Sequence, residues 1–234
     1  MAENKINLAI FDFDGTLTSG HLWTGIAKHH RQKKVKRRTL YFYLLSHLPL
    51  WLAAKAKLYN EEKNRAKWGE DVPVLFKGFT REETCKAFEW ITDHYFIPLL
   101  RKDVMEILKD HKNKGFKVMI LSGMVTDFLE VVAGKIGADY VVGTKSEIVN
   151  NTYSGRIIQP LCFGKNKARY LSDFIQQQHL NVDLVRSSAY ADSIYDLSVL
   201  QLVGNPVATY PDKELYELAL QKKWQIVGNS NRPG

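Results

Sequence analysis

Residues Ile6 to Phe11 read INLAIF, and Asp12-Phe13-Asp14-Gly15-Thr16 follow without a break. The first six form a short, largely apolar, partly β-branched run, which predicts a strand buried on both faces. Gly15 marks a turn directly after it. If the chain stays extended to residue 14, Asp12 and Asp14 point the same way and Phe13 points into the core. Two packed carboxylates repel unless something neutralises them. A hard divalent cation with oxygen ligands does this, and Mg²⁺ suits a site that also holds phosphate.

Beyond residue 98 the pattern alternates between helix and strand. A helix over Asp103–Lys114 ends at Gly115, and Phe116–Leu121 (FKVMIL) is a second buried strand. A helix over Val125–Ile136 closes at Gly137, a short strand covers Ala138–Val142, and an Asn-rich hairpin covers Val149–Ile157. A helix over Lys165–Gln178, a strand over Leu184–Tyr190 and a helix over Asp196–Leu202 follow, then short strands at Val207–Thr209 and Gln225–Val227. Such alternation predicts an α/β fold with a three-layer, Rossmann-like parallel sheet core.

The gap from Phe11 to Phe116 is too long for one crossover helix. Residues 19–95 are rich in Lys, Arg, Leu, Trp and Tyr, and Thr80-Arg81-Glu82-Glu83 reads as a capping box. The expected organisation is a core of residues 1–18 and 96–234 with a helical cap of 19–95 inserted into it. Hinges are expected near Thr18-Ser19-Gly20 and Ile97-Pro98, and a frayed tail over Gly228–Gly234.

The 234 residues suit one large domain, or a core plus an insert, and ordinary globular composition excludes fibrous and wholly disordered classes. Two cysteines, Cys85 and Cys162, make no disulfide framework and no zinc pair, which points to a reducing, cytoplasmic setting. No signal peptide is read at the N-terminus. The longest apolar stretch, Leu40 to Ala54, is interrupted, and a spanning helix needs about 20 apolar residues. A net charge of +8 favours anionic partners without choosing among them.

In open α/β sheets, ligands bind where the strands end. There stand Asp12 and Asp14, then Ser122 and Gly123, then Asp192, Ser193 and Asp196, with Lys165 opening a helix between them. Asp12, Asp14, Lys165 and Asp192 are four ionisable groups that are costly in such a place without a use.

This arrangement resembles the haloacid dehalogenase superfamily, and within it the phosphoserine-phosphatase-like branch (subfamily IB). The motifs that carry the resemblance are Asp12-Phe13-Asp14-Gly15-Thr16-Leu17-Thr18, the apolar strand ending in Ser122, Lys165, and Asp192-Ser193-Ile194-Tyr195-Asp196-Leu197. The cap matches in position only. The resemblance implies a phosphatase. Asp12 attacks phosphorus to form an aspartyl-phosphate, and Asp14 acts as acid and then base. Mg²⁺ would sit on Asp12, the Asp14 carbonyl and Asp192, with phosphoryl oxygens on Ser122, Gly123 and Lys165. Asp196 and Ser193 would support them from behind. Two departures argue against phosphoserine as substrate. His21 stands where the branch carries a Glu that reads the substrate amine, and Tyr195 stands where an Asn is usual.

Two segments remain open. Lys28 to Arg38 (KHHRQKKVKRR) reads first as a solvated helix face, then as a substrate or membrane contact, and last as a nucleic-acid site, since no motif supports that partner. The preferred reading of Leu40 to Leu52 is core of the cap; the other is an interfacial segment on an anionic membrane. The expected substrate is therefore a small phosphorylated metabolite other than phosphoserine. The alternatives are a lipid phosphate, such as lysophosphatidate or phosphatidylglycerophosphate, and a catalytically idle phosphate-binding protein.

Overall fold

The computed structural model describes residues 5–228. The terminal segments, including the tail from residue 229 on, lie outside the described residues. Strand β1 (Leu8–Phe11) is central in a seven-stranded sheet ordered β4-β3-β2-β1-β5-β6-β7. Its neighbours are β2 (Lys117–Val125) and β5 (Ser188–Ala191), both parallel to it. Outward lie β3 (Tyr140–Val149) with β4 (Thr152–Ile158) on one side, and β6 (Asn205–Thr209) with β7 (Gln225–Val227) on the other. Only the β3–β4 pairing is antiparallel.

The period of two in β1 explains its position. Ala9, Phe11 and then Phe13 enter one buried cluster, and Leu8 and Ile10 enter the other. A strand flanked by apolar layers on both faces can afford no polar side chain until it ends. It ends at Asp12, which shares the side of Leu8 and Ile10.

Between β1 and β2 run α1 (Leu22–Gln32), α2 (Arg37–Lys55), α3 (Glu61–Asp71) and α4 (Arg81–Ile91), then α5 (Lys102–Asn113). Two short 3₁₀ turns and one π turn join them. The α4 capping box is formed reciprocally by Thr80 and Glu83, a motif whose cap stabilises by about 1 kcal/mol. The chain leaves and re-enters the sheet region side by side. Thr18 pairs with Leu100, and the Ser19 N–H donates to the Leu99 carbonyl over 3.1 Å.

The remaining helices are α6 (Thr126–Ile136), α7 (Lys165–Gln177), α8 (Leu197–Leu200) and α9 (Lys213–Lys222). Gly137 ends α6 at φ +73°, where a side chain would be strained. The largest difference from the sequence reading is at β3. The strand expected at Ala138–Val142 and the first arm of the hairpin are one ten-residue strand. The hairpin turns at Asn150 and Asn151, both at positive φ. β5 is shorter than the run Leu184–Tyr190 suggests, because Asp183 and Ser187 make side-chain bonds that cap a turn instead. Helix α9, capped by Asp212, was not anticipated.

Helix α2 also departs from expectation. Leu40 and Tyr43 are core, but Tyr41, Phe42, Leu45, Leu48, Trp51 and Leu52 are exposed. The preferred reading of this segment as core is thus corrected for most of its large apolar side chains. Helix α2 packs on its neighbours through one stripe only.

Candidate active site

The first site element is the turn after β1. Gly15 adopts φ +91°, which turns the chain so that its N–H donates to the Thr18 carbonyl over 2.9 Å. Phe13 is fully buried against Phe96 and Phe128, with ring centroids 5.1 and 5.8 Å away. This anchors the turn and sends Asp12 and Asp14 the other way.

Asp12 is buried, and its Oδ1 accepts from Lys167 Nζ at 2.7 Å. Lys167 also pairs with Asp196, which the 3₁₀ turn after β5 carries. Asp192 follows β5 directly and is buried, with Thr16 Oγ1 at 3.4 Å from its Oδ1. Ser122 is buried in β2, two residues past Ile120, the register partner of Phe11. It therefore stands at the same sheet edge as Asp12. Gly123 is held by its carbonyl, which accepts from Thr144 Oγ1 at 2.8 Å.

The assignment of Lys165 needs correction. Lys165 is the exposed first residue of α7, whereas Lys167 is 4 % exposed and bonds Asp12. Two helical positions are about 200° apart around the axis, so only one of the pair can face the sheet. Lys167 lies on the stripe of Leu171 and Phe174, which pack into the same cluster as Leu8 and Ile10. That i, i+4, i+7 pattern is readable in the sequence and was the signal available.

The carboxylates fall into two places. Asp12, Asp192 and Asp196 are the three whose ligand oxygens lie within 4.8 Å of one another. The Asp14 side chain is outside this group; its Oδ1 is 2.7 Å from His21 Nδ1. Asp196 is thus part of the buried cluster itself. Ser193 does structural work: its Oγ donates to Asp212 Oδ2 at 2.9 Å, which ties the Asp192 loop to the cap of α9.

The electrostatics call for a cation. Burial pushes the Asp12 carboxyl well above its usual range; Lys167 opposes this, and Asp196 and Asp192 add to it. Burial pulls the Lys167 ammonium down, but Asp12 and Asp196 outweigh it and hold it above its ordinary value. Three buried carboxylates against one ammonium leave an excess of negative charge. A hard divalent cation on oxygen ligands would remove it, so the donor set fits such an ion. The nearby Cys162 thiol is pushed up to about 12 by burial, so it is no thiolate at neutral pH.

One residue sits over the site without having been anticipated. The Arg65 guanidinium, from α3, lies 5.3 Å from the Tyr195 ring centre and is bonded to Glu61 at 2.9 Å. Nothing in the local sequence distinguishes it from the other basic residues of that region.

The family model for haloacid dehalogenase-like hydrolases matches residues 9–201. Phosphoserine phosphatase SerB1 of Mycobacterium tuberculosis is 28% identical over 226 residues, spanning 93% of this chain and 69% of that protein. The histidinol-phosphatase of Neisseria meningitidis is 24% identical over 233 residues, 94% of this chain and 98% of that one. Among solved structures, a Bordetella pertussis protein of unknown function superposes with a TM-score of 0.81 at 19% identity, covering 96% of this chain and 99% of that one. A phospho-aspartyl intermediate analogue of phosphoserine phosphatase gives 0.61 at 20% identity, covering 96% and 93%. The chain belongs to the haloacid dehalogenase-like hydrolase family.

Proposed function

We propose that this phosphatase hydrolyses a small phosphomonoester through an aspartyl-phosphate on Asp12, with Mg²⁺ as the divalent ion. The observation that carries the reading is the buried group of Asp12, Lys167, Asp192 and Asp196 at the carboxyl ends of β1 and β5. Asp12 forms the bond to phosphorus as the ester bond to the leaving oxygen breaks. Asp14 gives its proton to that oxygen. It then takes a proton from the water that attacks phosphorus, which releases inorganic phosphate and restores Asp12. Asp12, Asp192 and Asp196 would hold the metal, together with the Asp14 carbonyl. When bound, the metal would neutralise charge between Asp12 and the phosphoryl group. Lys167 pins Asp12, while Ser122 and the Gly123 N–H receive the phosphoryl oxygens.

Residues 19–95 act in this reading as a cap that selects the leaving group and excludes water. The chain crossings at Thr18–Ser19 and Leu99–Leu100 are its hinges. His21, engaged with Asp14, argues for a substrate other than phosphoserine, although SerB1 carries that name. A lipid phosphate is the second reading, favoured by the exposed apolar face of α2. The cytoplasmic setting fits two free cysteines, Cys85 and Cys162. The test is phosphate release from a panel of phosphoserine, phosphoethanolamine, histidinol phosphate, sugar phosphates and lysophosphatidate, with Mg²⁺ and with EDTA. Release that persists in EDTA, or in the Asp12→Asn protein, would refute the mechanism.

A further inference from the structure

From His21 to Asn60 the chain holds nine Lys and Arg and no Asp or Glu. The rest of the chain holds 24 against 25, so this one segment carries all of the excess positive charge behind the net +8. It contains α1 and α2. The arrangement of α2 is the reverse of an ordinary surface helix. Its covered stripe is Leu40, Tyr43 and His47, and two of these bond to α3: the Tyr43 hydroxyl donates to the Trp68 carbonyl at 3.0 Å, and His47 Nε2 is 3.1 Å from Asp71. The opposite stripe, turned to solvent, is Tyr41, Leu45, Leu48 and Leu52, at spacings of four, three and four. These are 59%, 63%, 45% and 53% exposed, and Phe42 beside them is 72% exposed. Apolar residues recurring at this spacing define one helix face, and an exposed contiguous apolar face marks an interaction site.

Cations bracket that face. Lys33, Lys34, Lys36, Arg37 and Arg38 precede it, and Lys55 and Lys57 follow it. Among the described residues no helix is long and apolar enough to cross a membrane, and α2 carries Pro49 in its interior. A helix with an apolar face and cationic ends lies in the plane of a bilayer interface, with long basic side chains reaching the headgroups. We propose that the α2 face docks on an anionic lipid surface. A second copy of this chain is a poor occupant: a two-fold contact would set the nine cations of one copy against those of the other. This inference goes beyond the proposed chemistry, since it concerns where the protein sits and not what it cleaves.

The test is co-sedimentation of the full chain with vesicles of phosphatidylcholine alone and of phosphatidylcholine mixed with phosphatidylglycerol. Binding should require the anionic lipid and weaken as salt rises. The Leu45→Glu, Leu52→Glu double variant changes two exposed residues, so its circular dichroism should match the parent. It should lose binding by roughly tenfold or more. The Arg37→Glu, Arg38→Glu variant should lose at least about tenfold as well. Hydrolysis of a soluble phosphomonoester by both variants should equal that of the parent, which separates this inference from the proposed reaction. The proposal is overturned if the parent ignores anionic vesicles, or if the Leu45→Glu, Leu52→Glu protein still binds them. A parent that light scattering shows as a dimer, and that the same variant turns into a monomer, overturns it equally.

Discussion

Lys167 Nζ stands 2.7 Å from Asp12 Oδ1 and also pairs with Asp196, so one buried ammonium joins the residue after β1 to the turn after β5. The two carboxylates have oxygens within 4.8 Å of each other, and this cation bonds both. Replacing it by alanine removes both the positioning of Asp12 and the positive charge near the phosphoryl group. Lys167→Ala should lower kcat/KM by about 10²–10³-fold, the usual scale for one preorganised electrostatic partner. Breaking a buried pair costs about 3–5 kcal/mol, so thermal melting should also fall. Lys165→Ala, on the exposed start of the same helix, should change neither. Equal losses in the two variants would contradict the assignment.

Asp12→Asn removes the proposed nucleophile while keeping size and hydrogen-bonding capacity. Turnover should drop by roughly 10⁴-fold or more, as when one member of a catalytic unit is removed. Lys167 keeps Asp196 as a partner, so the fold should survive. The check is phosphate release together with trapping: beryllium fluoride should bind the parent and not the variant. Trapping on Asp12→Asn would place the nucleophile elsewhere.

His21 Nδ1 lies 2.7 Å from Asp14 Oδ1, with the imidazole about half exposed. This contact fixes the orientation of the proposed acid and base. His21→Ala should lower kcat about tenfold, less than the roughly 10²–10⁴-fold that a proton-transfer group itself contributes, with KM for a small ester little changed. His21→Gln, able to hydrogen-bond Asp14, should recover part of that loss. A pure rise in KM would instead make His21 a substrate contact.

Much of the site was legible because it depends on short-range rules. The alternation in β1 places Phe13 in the core and Asp12 on the opposite side. The ends of β1, β2 and β5 then bring Asp12, Ser122 and Asp192 to one edge. The choice between Lys165 and Lys167 depended on the facing of α7, which a motif read only as a lysine at a helix start does not carry. The joining of Asp196 to the carboxylate group is a tertiary fact, set by where the turn after β5 meets α7. The exposure of α2 was hidden for a related reason. A helix apolar nearly all round gives no clue to which stripe is covered, and here the buried residues are Leu40, Tyr43 and His47, the last two bonded to α3. Arg65 reaches Tyr195 across a long sequence separation, and no local pattern announces it.

The carboxylate cluster predicts a metal effect visible without turnover. A ligand that binds only the folded state stabilises it, by about 2.7 kcal/mol at a hundredfold excess over Kd. Mg²⁺ should therefore raise Tm, and EDTA should reverse the rise. Asp192→Asn removes one charged donor of the three. It should shift the Mg²⁺ dependence of Tm to higher concentration, while its metal-free Tm should not fall, because repulsion among the carboxylates is relieved. A parent whose Tm ignores Mg²⁺ would contradict the metal site.

The α1 histidines predict an acid-labile fold. Burial pushes the His29 imidazole down to about 4 from an ordinary 6.5, with His30 and Lys33 adding to the shift. His29 lies against the Trp90 ring, with His30 Nδ1 3.0 Å from its own Nδ1. The His30 and His111 imidazoles are lowered too, chiefly by burial. Above 6.5 these rings are neutral in both the folded and the unfolded chain, and pH has no leverage through them. Below 6.5 the unfolded chain takes up protons that folded His29 refuses until about 4. Stability should therefore be full above 6.5 and fall across that window, by up to about 1.4 kcal/mol per pH unit for each such histidine. Denaturant unfolding measured at a series of pH values reads this slope directly. His29→Gln, which does not titrate, should flatten it. An unchanged slope in that variant would mean that His29 accepts its proton in the folded state.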